Sequence, residues 1–131
     1  EEEFNRWVEE KTLNYYGSAE DVRTFARKCS CIVLPSYREG LSMVLLEGAS
    51  MATPLIASNI AGCKEVIDDT VTGYLVNPKD AKDLSDKMNS FYKLSDTDRL
   101  KMGLLAREKI KREFSIEIIV DKYLKIIAQC S

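Results

Sequence analysis

Residues Cys31–Ala57, CIVLPSYREGLSMVLLEGASMATPLIA, read as strand, loop, helix and strand in succession. Cys31-Ile32-Val33-Leu34-Pro35 is apolar without polar alternation, the pattern of a strand covered on both faces. Ser36 to Leu41 form a loop with Gly40 as its pivot, a helix follows from about Ser42 to Ala52, and Leu55-Ile56-Ala57 starts a second buried strand. Two buried strands joined this closely through a helix call for a parallel pair with a right-handed crossover.

The same rhythm extends outward. Upstream, Phe4, Trp7 and Val8 mark a helical stripe within Glu1–Lys11, and Leu13-Asn14-Tyr15-Tyr16 reads as a short strand stopped by Gly17. Ser18 is the expected cap of a helix through Val22, Phe25 and Ala26, with Glu20 and Asp21 in its first turn. Downstream come a short helix around Cys63 to Ile67 and a strand at Gly73 to Val76. Beyond Lys79 the alternation ends. Leu84, Met88 and Phe91, then Leu100, Leu104 and Leu105, then Ile116, Val120, Tyr123 and Ile127 mark three amphipathic helices, with Asp80, Ser95 and Ser115 as their caps. The expected fold is therefore α/β, a Rossmann-like three-layer αβα sandwich with a parallel sheet of about four strands and a C-terminal helical tail. No repeat, low-complexity segment or Gly/Pro/Ser-rich linker divides residues 1–131, so a single domain is expected.

Composition removes several classes of function. Nineteen basic and twenty-one acidic residues leave a formal charge of −2, without the positive field that duplex nucleic acid requires. The absence of histidine excludes a Ser-His-Asp triad and a histidine-ligated metal in this chain. Cys29, Cys31, Cys63 and Cys130 form no CxxC pair and read as reduced packing residues of a cytoplasmic protein. No stretch approaches the roughly 20 apolar residues of a membrane span.

One local feature stands out against this background. Between Glu39 and Lys64 the only charged residue is Glu47, where a chain that is 31% charged would place about seven. Its helix neighbours are apolar on nearly every side, so the carboxylate needs a partner. Backbone amides or a basic side chain would make it structural; the hydroxyls of a ligand would make it functional. Position favours the ligand, because strand, loop and helix meet at the carboxyl edge of a parallel sheet, where open α/β sheets bind theirs. The amides of Leu41, Ser42 and Met43 at the helix start suit an anion such as a phosphate. Neither GxxxxGK[ST] nor GxGxxG occurs.

Pro35-Ser36-x-x-Glu39-Gly40, Glu47 after seven intervening residues, Pro54-Leu55-Ile56-Ala57-Ser58, Gly62-x-x-Glu65-Val66-Ile67 and Gly73-x-Leu75-Val76 form an ordered series. Together they resemble the carboxyl-terminal domain of retaining GT-B glycosyltransferases of glycosyltransferase family 4. Ser42, Gly48 and Thr53 depart from that pattern, standing where proline or glycine, alanine, and glycine are usual.

The resemblance implies a role for each matched position. Glu39 would contact the donor sugar and the reacting end of a nucleotide sugar, and is the catalytic candidate. Glu47 would accept hydrogen bonds from the ribose hydroxyls. Gly40 and the amides of Leu41, Ser42, Met43 and Val44 would hold the sugar and diphosphate. It further implies a UDP- or GDP-sugar donor, no cofactor or metal, a glycan or lipid-linked acceptor bound by an amino-terminal domain outside this chain, and a role in polysaccharide biosynthesis. The arginine and lysine that clamp the diphosphate in such enzymes have no counterpart here, so the isolated chain is expected to be inactive, able to form a homodimer, and part of a cytoplasmic enzyme peripheral to the membrane. The alternatives are a noncatalytic nucleotide-binding or interaction module and another GT-B enzyme such as a nucleotide-sugar epimerase.

Overall fold

The computed structural model describes residues 1–18 and 21–129. In chain order the elements are α1 (Glu2–Glu9), α2 (Arg23–Ala26), β1 (Ile32–Leu34), α3 (Met43–Ser50), β2 (Leu55–Ser58), β3 (Gly73–Val76), α4 (Ala81–Tyr92), α5 (Asp96–Phe114) and α6 (Ile116–Gln129). The three strands form one parallel sheet in the order β1-β2-β3, with Val33 opposite Ile56 and Ile56 opposite Tyr74.

Successive strand residues point to opposite faces, and both faces are covered. Ile32, Leu34, Leu55 and Ala57 pack with Leu45 and Ala49 of α3, with Cys63, Val66 and Ile67, and with Ala106 and Ile110 of α5. Val33, Ile56, Tyr74 and Val76 pack on the other side with Leu84 and Phe91 of α4 and Met102 of α5. Burial on both faces is why the strands lack polar alternation. The fold is the Rossmann-like αβα sandwich that the sequence implies.

Several local expectations are corrected. Leu13–Tyr16 forms no strand, so the sheet has three strands among the described residues rather than about four. The amides of Thr12 and Leu13 instead close the end of α1 on the carbonyl of Trp7. Tyr15 stands edge-on to Phe4, with ring centroids 5.3 Å apart, and Tyr16 leans on Phe25 at 5.1 Å. The helix expected after Ser18 is only α2, and Asp21 holds its start, accepting from the Arg23 amide at 2.9 Å. Glu20 and Cys130 lie outside the described residues.

Residues 61–66 are turns rather than a helix. Gly62, at φ 87°, breaks helical geometry there. Of the cysteines, Cys63 is buried, but Cys29 is exposed and does not serve as core packing. Asp80 and Ser95 do cap α4 and α5, accepting from the amides of Asp83 and Asp98. Helix α5 turns a different face inward than its leucines suggest: Met102, Gly103, Ala106, Lys109 and Ile110 are buried, while Leu100, Leu104 and Leu105 are exposed. No residue of α6 is buried.

Candidate functional site

Strand β1 ends at Leu34, and residues 35–42 lead over the carboxyl edge of the sheet into α3. Ser36 donates its hydroxyl to Glu39 Oε1 at 2.7 Å, which fixes the carboxylate within the loop while its second oxygen makes no hydrogen bond among the described residues. The loop rests on residues 60–66. The Ser42 amide donates to the Gly62 carbonyl at 3.3 Å, and the Gly62 amide donates to Glu65 Oε2 at 2.6 Å. The two backbones approach so closely that a Cβ on Gly62 would overlap the carbonyl oxygen of Gly40. Only glycine fits there.

Cys63 lies beneath this junction. Burial pushes its thiol pKa up, and Glu39 and Glu65 add to the rise. It is therefore protonated at neutral pH and not a nucleophile.

Helix α3 begins uncapped. Ser42 is its N-cap in extended geometry, but no side chain accepts from the first turn, and the first turn holds no acidic residue. The amides of Leu41, Met43 and Val44 make no hydrogen bond among the described residues. An unsatisfied, dipole-favoured helix start of this kind attracts an anion. Ser42 departs from the expected row of amides, since it is buried and its N–H is used by Gly62.

Glu47 lies one turn further along α3 and is half-buried. Its carboxylate makes no hydrogen bond or ion pair with any described residue, so among the described residues nothing locks it as the structural alternative requires. Arg23 lies within its electrostatic reach. Its guanidinium is held on Asp21 at 2.8 Å, which raises its pKa, with Glu47 contributing in the same direction. Beside Glu47 opens a cleft of ≈ 170 Å³ lined by Val22, Phe25, Cys29, Ile32, Val44 and Met51. Glu39 and Glu47 thus flank one uncapped helix start, the first in the loop and the second on an apolar cleft.

Two of the sequence departures acquire local reasons. At position 48 a Cβ would meet the terminal Cδ1 methyl of Ile32, so glycine spares that side chain a shift where α3 lies against β1. The left-handed residue before Pro54 is Ala52, at φ 59°, which relieves Thr53 of that geometry. Thr53 is buried, and its hydroxyl donates to the Ala26 carbonyl at 3.5 Å. Ser36 and Gly62 enter the sequence reading only as members of the Pro-Ser-x-x-Glu-Gly and Gly-x-x-Glu-Val-Ile matches, and Cys63 as a packing residue, so their parts in this junction were not singled out.

The model of the family described as "Glycosyl transferases group 1" matches residues 8–109. The chain belongs to the glycosyl transferases group 1 family. Its relatives include the N,N'-diacetylbacillosaminyl-diphospho-undecaprenol alpha-1,3-N-acetylgalactosaminyltransferase of Campylobacter jejuni, 30% identical over 117 residues that cover 87% of this chain and 30% of that protein. A glycosyltransferase from Rickettsia africae superposes with a TM-score of 0.83 at 26% identity, over 94% of this chain and 35% of the other. Anabaena HepE in complex with UDP shares the fold, with a TM-score of 0.87 at 18% identity over 98% of this chain and 36% of the other. The chain spans about a third of the length of the relatives it matches. Within the group 1 fold, the loop from Pro35 to Ser42 and the start of α3 form the carboxyl-edge site described above.

Proposed function

We propose that this chain is the donor-binding part of a retaining glycosyltransferase that uses a UDP- or GDP-sugar. The observation that carries this reading is the unpartnered Glu47 carboxylate, set beside an apolar cleft and one turn beyond an uncapped helix start. A nucleoside diphosphate has chemistry for each part. Its ribose hydroxyls donate to Glu47, its base fills the cleft, and its phosphates accept from the amides of Leu41, Met43 and Val44. Glu39, steadied by Ser36, is left to face the sugar at the reacting end.

In this reading catalysis is electrostatic, with positioned dipoles stabilising the departing diphosphate and no metal taking part. The basic diphosphate clamp and the acceptor site belong to other parts of a longer enzyme, and the chain alone turns over no sugar. The acceptor is a glycan or lipid-linked glycan of polysaccharide biosynthesis, handled at the cytoplasmic face of a membrane. Among the described residues no helix is long and apolar enough to cross a membrane.

Titration of the chain with UDP and GDP by calorimetry, beside Glu47→Gln, tests the proposal. The substitution is expected to weaken binding about tenfold, equal to about 1.4 kcal/mol. Unchanged affinity would remove the ribose role.

A further inference from the structure

The nucleotide reading of Glu47 leaves the base unspecified, and the cleft beside that carboxylate is where a base would be chosen. Its walls come from around α2, β1 and α3, through Val22, Phe25, Cys29, Ile32, Val44 and Met51. Nucleobases share a flat π-face and differ in the donors and acceptors along their edges. A site that selects one base presents matching polar groups, whereas a site that holds the flat face accepts them all.

The lining of this cleft is of the second kind. Apart from Glu47, no described residue lining it carries a strong side-chain donor or acceptor, the Cys29 thiol and Met51 thioether being weak ones. Backbone groups around it are satisfied within the chain. The amides of Phe25 and Ala26 donate to the Val22 carbonyl, and the Ala26 carbonyl accepts from the Cys29 amide and the Thr53 hydroxyl. On the α3 side, the Gly48 carbonyl accepts from the amides of Met51 and Thr53. Arg23, whose charge reaches Glu47, turns its Nε and Nη2 onto Asp21 at 2.8 and 2.9 Å.

Phe25 supplies the flat face. It is 36% exposed and lines the cleft, and the Tyr16 ring steadies it from 5.1 Å at an interplanar angle of 53°. Across from it, Val44, Glu47 and Met51 follow one another at three and four residues, one face of α3 and its C-cap. A ribose on Glu47 therefore stands between two apolar contacts for its base. Met51 is unbranched and polarisable, so it adapts to rings of one or two cycles.

We infer that Phe25 is the base platform of this site and that the cleft is indifferent to the base it holds, so that the diphosphates of uridine, guanosine, cytidine and adenosine bind this chain alike. The inference rests on the nucleotide reading of Glu47.

Calorimetry of the chain with UDP, GDP, CDP, ADP and inorganic pyrophosphate tests it. The four nucleotides are expected to agree within about tenfold, the discrimination left to a pocket that senses size and shape, and pyrophosphate to bind more weakly than any of them. Phe25→Ala is expected to weaken all four nucleotides about tenfold and to leave pyrophosphate unchanged. The wild-type chain gives a second measurement that needs no variant. Cys29 is exposed and lines the cleft, so each nucleotide is expected to slow its alkylation by iodoacetamide, followed by peptide mass, and pyrophosphate is not. A preference for one base larger than tenfold would overturn the indifference and leave the nucleotide reading standing. Nucleotides that bind without protecting Cys29, or that bind Phe25→Ala as tightly as wild type, would overturn the platform. Failure of all four to bind would overturn the nucleotide reading itself, and this inference with it.

Discussion

The isolation of Glu47 in the sequence is reproduced in space. A single carboxylate among apolar neighbours is legible because charge is rare there, and among the described residues its side chain has no partner. Gly62 is not legible in the same way, since its importance lies in a contact between segments about 20 residues apart in the chain, whereas Ser36 acts on Glu39 within one loop. The Gly62–Gly40 approach carries the loop that holds Glu39. Gly62→Ala would combine a left-handed φ with an overlap against a carbonyl, so its expected cost is about 2 kcal/mol, with a loss of UDP affinity as the loop moves. Urea unfolding and UDP calorimetry on the same variant check this. Wild-type values in both would show that the two loops are not mutually supported.

Among the elements, the three strands of the sheet were readable, although Leu13–Tyr16 read as a fourth and is none, and the faces of the tail helices were less so. Each strand is a run of consecutive apolar residues bounded by Pro, Gly or polar positions, so β1, β2 and β3 needed no tertiary information. Helix α5 shows the opposite. Leu100, Leu104 and Leu105 dominate any hydrophobic pattern, but α5 packs through its small residues because a Cβ at Gly103 would overlap the Ala52 carbonyl. Close approach selects glycine and alanine, which register weakly on hydrophobicity. Lys109 was concealed for a related reason, being a charged residue on the buried face.

Lys109 ties α5 to the turn before β3, donating to Asp68 Oδ1 at 2.9 Å and pairing with Glu113 Oε2 at 3.0 Å. Burial disfavours its charge, but the hydrogen bonds to Asp68 and Glu113 outweigh that and hold its pKa above the ordinary lysine value of 10.5. The Lys109 contribution is therefore fully present below that value and lost as pH rises through the raised one. Glu113 is lowered by Arg112 and then Lys109, so its share is present above the ordinary glutamate value of 4.5 and lost as pH falls through the lowered one. Both carboxylates reach solvent, which screens the pairs. Lys109→Met is expected to cost about 1–2 kcal/mol near neutral pH, with the gap to wild type narrowing as pH rises through the raised Lys109 pKa. Urea unfolding at neutral and strongly alkaline pH measures it, and a gap independent of pH would assign the effect to packing.

At the scale of the whole molecule, the sheet and helices α3, α4 and α5 enclose both cores, and α6 lies outside them. Its apolar residues Ile116, Val120, Tyr123 and Leu124 are exposed, so its sequence amphipathicity is not spent on this fold. A helix that contributes no buried residue contributes little to cooperativity, since apolar burial is the main stabilising term. A chain ending at Ser115 is therefore expected to unfold cooperatively, at a cost of at most about 2 kcal/mol, the order of one part-buried aliphatic side chain. It should also keep the UDP response at Leu41 to Glu47, because no residue of 116–129 lines the cleft beside Glu47. Circular dichroism during urea unfolding measures the first expectation and calorimetry the second. If removal of α6 abolished cooperative unfolding, its exposed face would have to be part of the stabilising core, contrary to the packing of both clusters.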